Sequence, residues 1–153
     1  MANLNPNSNP NAPFKFKRLL VPLDGAELTP RAAEASIALA SQLGAEIAGF
    51  IVQASLPLPS GGGSSVEQLR AEESAQRLLR RFEEQAQRAG VPFEGHYRQA
   101  PDVAQAIVQA ALEYRCDMIV MVTHGRGPVG RLVFGSHTQQ VLARTGTPVL
   151  VMH

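Results

Sequence analysis

Short apolar runs alternate with amphipathic segments along this chain, and that order restricts the possible folds more than any other feature. The runs Arg18–Leu23, Ile47–Val52 and Met118–Val122 are typical of buried parallel strands. Val91–Arg98 predicts a weaker strand, and Thr147–Met152 predicts the last one. A segment with helical spacing follows each of the first four strands. The sequence therefore predicts the order βαβαβαβαβ.

Start and stop signals define the helical segments. Thr29-Pro30 predicts the start of the first helix, with Thr29 as the N-cap and Pro30 at the first helical position. Two Ser-x-x-Gln patterns, beginning at Ser65 and Ser136, have the form of capping boxes. In the long second helix, the residues that we expect to face the core are Leu78, Phe82, Ala86 and Ala89.

This alternation predicts an α/β fold with a doubly wound, five-stranded parallel sheet in the strand order 3-2-1-4-5 and helices on both faces. The first and fourth strands then lie side by side, and the loops that follow them diverge. Ligands of open α/β sheets bind at such a switch point, at the carboxyl ends of the strands. The loops concerned contain Asp24-Gly25 and residues 124–136.

Length and composition favour one soluble domain. The chain has 153 residues, of which 44% are apolar, and its longest apolar runs are far shorter than a membrane span of ~20 residues. The single cysteine, Cys116, suits a reducing cytoplasm, and a net charge of +1 favours neither nucleic acid nor a membrane surface as a partner. Residues 1–13 are rich in Asn and Pro and predict a disordered extension, with the domain spanning residues 14–153.

The glycine-rich segment after the fourth strand fits two familiar nucleotide motifs poorly. Gly125 to Gly130 formally match GxGxxG, but no acidic residue follows Asp117 to bind a ribose. In a P-loop, Arg131 would replace the lysine and Leu132 the hydroxyl that holds Mg²⁺. A dehydrogenase and a P-loop enzyme are both disfavoured.

A more general anion site remains. The loop enters a helix at Gly135-Ser136, where free backbone N–H groups and the positive end of the helix dipole favour an anion. Arg126 and Arg131 add donors. The alternative is purely structural, with Gly135 making the turn and Ser136 capping the helix.

The same region resembles a known family. The segment from Met121 to Ser136, MVTHGRGPVGRLVFGS, is similar to the glycine-rich region of universal stress proteins of the UspA type. Shorter similarities lie at Leu20–Gly25, Leu43–Glu46 and Pro148–Val151. Nucleotide-binding members carry the pattern G-x2-G-x9-G-[ST], in which this chain has Val122 in place of the first glycine. A β-branched residue takes a positive φ only at a cost, and its side chain would project into ligand space.

The resemblance implies a site for ATP, with any Mg²⁺ arriving on the nucleotide. Asp24 would meet the nucleoside, Val52 the base, and the glycine-rich loop and following helix the phosphates. The nucleotide-binding residues that the resemblance implies are Pro22, Leu23, Asp24, Val52, Met121, Val122, Gly125, Gly135, Ser136, His137 and Thr138.

The function that we expect is that of a cytoplasmic stress-response sensor or switch that binds an adenine nucleotide. The alternative is a dimeric interaction module of the same family that binds a protein partner and no nucleotide. No catalytic residue is predicted, because His124 has no visible nucleophile or base partner, so the chain would at most hydrolyse ATP slowly. The histidines share no metal-ligand spacing. The apolar last strand predicts a homodimer through that sheet edge.

Overall fold

The structure is a computed structural model that describes residues 13, 15–23, 30–55, 65–122 and 135–152. The predicted extension, apart from residue 13, and the glycine-rich loop 123–134 lie outside the described residues. Within these ranges the chain follows the predicted order: β1 (Arg18–Leu23), α1 (Pro30–Leu43), β2 (Glu46–Ala54), α2 (Ser65–Arg88), β3 (Phe93–Ala100), α3 (Val103–Glu113), β4 (Met118–Val122), α4 (Ser136–Arg144) and β5 (Val149–Met152).

The strands form one parallel sheet in the order β3-β2-β1-β4-β5, so the predicted fold class is confirmed. One face packs against α1 and α2, where Leu19 and Val21 of β1 contact a core that includes Ile37 and Phe82. The other face packs against α3 and α4. None of the helices in the described part of the chain is long and apolar enough to cross a membrane.

The apolar stripe of α2 differs in phase from the prediction. Its buried residues are Ala75, Leu79, Phe82 and Ala86, which follow the helical repeat, whereas Leu78 is half-buried. The predicted core residue Ala89 is exposed, because the helix ends at Arg88. Gly90 then reverses the chain with a φ of +70°.

A charged cluster fixes the amino ends of the strands, at the end of the sheet away from the switch-point loops. The backbone N–H groups of Lys17 and Arg18 donate to Asp117 Oδ2, at 2.7 and 2.9 Å. The Arg18 guanidinium donates to Glu46 Oε1 at 2.8 Å and also to Glu94. One arginine therefore joins the starts of β1, β2 and β3.

Candidate functional site

β1 and β4 are neighbours at the switch point of the sheet, and their paired register is short. β1 pairs with β2 along its whole length, whereas its register with β4 is confined to Leu19 with Met118 and Leu20 with Ile119. The paired register of β1 with β4 is therefore limited to the amino halves of these two strands, and ligands of open α/β sheets bind beyond the carboxyl ends of such strands.

Pro22 gives a physical reason for the short β1–β4 register. The Lys17 carbonyl accepts from Glu46 N beside β2, and the Arg18 carbonyl accepts from Asp117 N beside β4. Backbone groups of a strand in a parallel sheet point alternately to its two neighbours, so every second residue after Arg18 faces β4. Pro22 is one of these residues, and it has no N–H to donate. The β1–β4 ladder consequently loses a donor at this position.

Five of the predicted site residues lie together at this edge of the sheet. Pro22 and Leu23 end β1, Val52 lies near the end of β2, and Met121 and Val122 end β4. Leu23 and Val122 pack on the α1–α2 face, and Val52 and Met121 pack on the α3–α4 face. This edge of the sheet is therefore apolar, and the side chains of both faces contribute to it.

The backbone conformation of Val122 removes one objection to a valine where the family pattern has glycine. The residue is part of β4, and the one described non-glycine residue with a positive φ is Arg115. The half-buried side chain of Val122 packs against the α1–α2 core. The cost of a left-handed backbone conformation, expected for valine here, does not arise.

The start of α4 has no hydrogen bond from a capping side chain. Gly135, and not Ser136, is the N-cap, and no side chain caps the helix, so the predicted capping box is wrong. Ser136 is the first helical residue because glycine supplies the non-helical turn before it. The N–H groups of Ser136, His137 and Thr138 have no carbonyl one turn earlier in the helix to bind. Ser136 and His137 are exposed, while Thr138 is buried.

Nothing in the described part of the chain requires a glycine at position 135. Its φ is −55° and its ψ is 153°, which any residue can adopt. A Cβ built at Gly135 would meet no described atom within 4 Å. With respect to the described residues, the glycine therefore leaves space beside the first N–H groups of α4, as a close approach by an anion requires. The residues present fit the phosphates of a nucleotide.

The site residues at the strand ends and those at the start of α4 are joined in sequence by residues 123–134, which lie outside the described part of the chain. The predicted site residues Asp24 and Gly125 also lie outside it. At its other end α4 is fixed by an ion pair, in which Arg144 Nη1 donates to Asp102 Oδ2 at 2.6 Å. Asp102 is the N-cap of α3 and accepts from Gln105 N at 3.0 Å.

Two other candidates do not contribute to the site. Cys116 is buried in the α3–α4 core, and burial raises the pKa of its thiol to about 11, so the thiol stays protonated at neutral pH. Among the described residues no group of three His, Cys, Asp or Glu side chains could hold a metal ion.

A hydrogen-bonded chain that the sequence did not reveal lies beside Val52. Gln99 Nε2 donates to Tyr97 Oη at 3.2 Å, and Tyr97 Oη donates to Gln53 Oε1 at 2.9 Å. Gln53 and Gln99 are paired in register across β2 and β3. Their proximity follows from the register of the strands, which neither segment encodes alone.

These features define a doubly wound α/β protein with a short strand register at its switch point and a helix start beside it in sequence that has no side-chain cap. Residues 15–153 match the universal stress protein family, and the chain belongs to that family. A universal stress protein of Thermus aquaticus, from the QAH/OAS sulfhydrylase 3′ region, is 37% identical over 141 residues. The match covers 90% of this chain and 98% of that relative.

Solved structures share the fold. A crystal structure of a universal stress protein family member from Burkholderia pseudomallei has a TM-score of 0.74 and 26% identity, covering 90% of this chain and 96% of that one. A crystal structure of a universal stress protein in complex with cAMP has a TM-score of 0.67 and 22% identity, with 92% and 98% covered.

Proposed function

We propose that this protein binds an adenine nucleotide, ATP, in the crevice between β1 and β4, and acts as a cytoplasmic stress-response sensor or switch. The observation that carries the proposal is Gly135, a residue with an ordinary backbone conformation and, among the described residues, open space beside the first N–H groups of α4. Support also comes from the family, in which one structural neighbour was crystallised with the adenine nucleotide cAMP.

Different residues would contact different parts of the nucleotide. The N–H groups of Ser136, His137 and Thr138 and the Ser136 hydroxyl would hold the phosphates, with the helix dipole adding attraction. Val52 would contact the base. Asp24 and Gly125, whose roles rest on the family resemblance, would meet the nucleoside and the phosphates. A bound nucleotide would supply the negative charge to which this helix start is complementary, and any Mg²⁺ would come with it.

Calorimetric titration of the whole protein with ATP tests the proposal. We expect saturable binding that weakens about tenfold in Ser136→Ala, because one phosphate hydrogen bond to a charged group is lost. Ser41→Ala, at an exposed serine of α1, is the matched control and should bind like the native protein. Absence of heat up to millimolar ATP would overturn the proposal. Adenine nucleotide released from the denatured protein would support it.

A second candidate function is a dimeric interaction module that binds a protein partner and no nucleotide. The observation that favours it is β5, a sheet-edge strand in which Val149, Leu150, Val151 and Met152 are all half-buried. A half-exposed apolar edge strand favours pairing with another chain. We propose a homodimer through β5, related by a two-fold axis, which is compatible with either function.

A further inference from the structure

The carboxylate of Asp102 joins the start of α3 to the end of α4. Its Oδ1 atom accepts from Gln105 N at 3.0 Å, which caps α3, and its Oδ2 atom accepts from Arg144 Nη1 at 2.6 Å. The hydrogen bonds from Gln105 N and from Arg144 lower the pKa of Asp102, so its carboxyl group is ionised at neutral pH. Asp102 therefore caps one helix and holds the other with separate oxygens.

The charges of this pair are compensated by helix ends, whereas the start of α4 carries no charge of its own. Asp102 lies at the positive end of the α3 dipole, and Arg144 lies in the last turn of α4, at the negative end of that dipole. The first turn of α4 has no acidic residue, and no side chain caps it. Within α4, the negative end is thus neutralised and fixed, and the positive end is left for an anion.

The residues that hold α4 lie on one side of the helix. Thr138 and Val141 are buried, and Val141 belongs to the α3–α4 core. Arg144 follows Val141 by three residues, so it lies on nearly the same side. α4 has nine residues and a length of about 13 Å. Contacts at its middle and in its last turn therefore fix its direction. Without the ion pair, α4 would be free to pivot about Val141, and its first turn would move.

We propose that Asp102 is a positioning residue for the phosphate site, because by holding Arg144 it fixes the direction in which the first N–H groups of α4 point. This inference rests on the proposed function. Hydrogen bonds from these N–H groups to a phosphate depend on angle as well as distance, so they weaken when the helix turns. The Arg144 and Asp102 side chains are 40% and 47% exposed, and such pairs contribute little to stability. The pair therefore acts on ligand binding more than on folding.

Calorimetric binding of ATP and of adenosine to the whole protein tests this role. Arg144→Met removes the donor and leaves the cap of α3 unchanged. We expect it to weaken ATP binding about three- to fivefold, the upper range for an exposed ion pair. Adenosine has no phosphates, so its affinity should stay within about twofold. Glu113→Ala is the matched control, because it removes an ion pair of 2.7 Å that joins α3 to Arg98 of β3 and not to α4.

A double-mutant cycle tests whether Asp102 acts through Arg144. Asp102→Ser keeps an N-cap residue for α3 but loses the oxygen that binds Arg144. It should weaken ATP binding as much as Arg144→Met does, and the double variant should bind like either single variant. Arg144→Lys, which keeps the charge, should restore ATP affinity to within about twofold of the native protein. The cycle decides by itself if adenosine binds too weakly to be measured.

The outcomes separate this inference from the proposed function. If the native protein binds ATP and both single variants bind it equally well, the inference is overturned and the proposed function stands. Additive losses in the double variant, or equal losses of ATP and adenosine affinity, would also overturn the inference, because they indicate independent or general structural effects. If the native protein binds no ATP, both fail.

Discussion

His96 of β3 stacks face to face on Tyr114 at the end of α3, with ring centroids 3.9 Å apart and ring planes 11° apart. Burial lowers the pKa of His96, opposed by Glu94 and Glu113 and reinforced by Arg18 and Arg98. The neutral imidazole is thus the form that the fold favours, although Glu94 Oε1 lies 3.5 Å from Nε2.

We therefore expect the free energy of unfolding to fall as the pH falls through the ordinary histidine value of 6.5. In this window the unfolded chain takes up a proton that folded His96 resists, and the loss continues until the pH passes the lowered pKa. The slope can reach at most about 1.4 kcal/mol per pH unit for one proton. Urea unfolding between pH 7 and 5 measures it. His96→Phe, which keeps a stacked ring without titration, should flatten the profile, and equal slopes would contradict the prediction.

Gly49 of β2 allows Phe93 to pack across the sheet. A Cβ at Gly49 would lie 2.5 Å from Phe93 Cζ, and that ring is held by Phe82, whose centroid is 4.9 Å away. We expect Gly49→Ala to lower the free energy of unfolding by about 1–3 kcal/mol through overpacking. Gly146→Ala, where a Cβ meets no described atom within 4 Å, is the control. In a Phe93→Leu background the cost at Gly49 should shrink, and an undiminished cost would contradict the mechanism.

We expect the side chain of Val122 to contribute to the core without restricting access of the nucleotide. It packs against the α1–α2 core while Val122 keeps a strand conformation. Val122→Ala should therefore reduce stability by roughly 1–2 kcal/mol and leave ATP affinity within about twofold. Denaturant unfolding and calorimetry on the same samples separate the two effects. A tenfold gain in affinity would show that the valine obstructs the ligand.

We expect Gly135→Ala to weaken ATP binding and leave stability nearly unchanged, the reverse of Val122→Ala. The native backbone conformation suits alanine and the space is open, so stability should change by less than about 1 kcal/mol. The added methyl group would occupy the space beside the α4 N–H groups, so ATP affinity should fall about tenfold or more. Gly146→Ala should change neither quantity. Unchanged affinity in Gly135→Ala would remove the main support for the phosphate site.

Strand positions and topology could be predicted from the sequence because buried parallel strands are short and almost wholly apolar, as in Met118–Val122. The buried face of α2 could be predicted only in part, because this helix has apolar residues on more than one side. Leu78 and Leu79 are adjacent, and only packing against the sheet decides that Leu79 is the buried one.

The candidate site was predictable in part for similar reasons. The strand ends Leu23 and Val122 follow from the topology. By contrast, the cap at Gly135 depends on the backbone angles of a turn, which the Ser136-x-x-Gln139 pattern does not fix. The chain of bonds through Tyr97 depends on the β2–β3 register, a long-range property with no local signal.

The exposed edge of β5 gives a final prediction about assembly. Leu150 lies in the middle of a half-buried apolar strand at the end of the sheet order. A lysine there would bring an ammonium group to the proposed two-fold interface, where burying two like charges is unfavourable. Leu150→Lys should therefore shift a micromolar dimer toward monomer in sedimentation experiments, while Leu142→Lys, at an exposed leucine of α4, should remain dimeric. If the native chain itself sediments as a monomer, the dimer proposal fails, whereas nucleotide binding at Gly135 is tested separately.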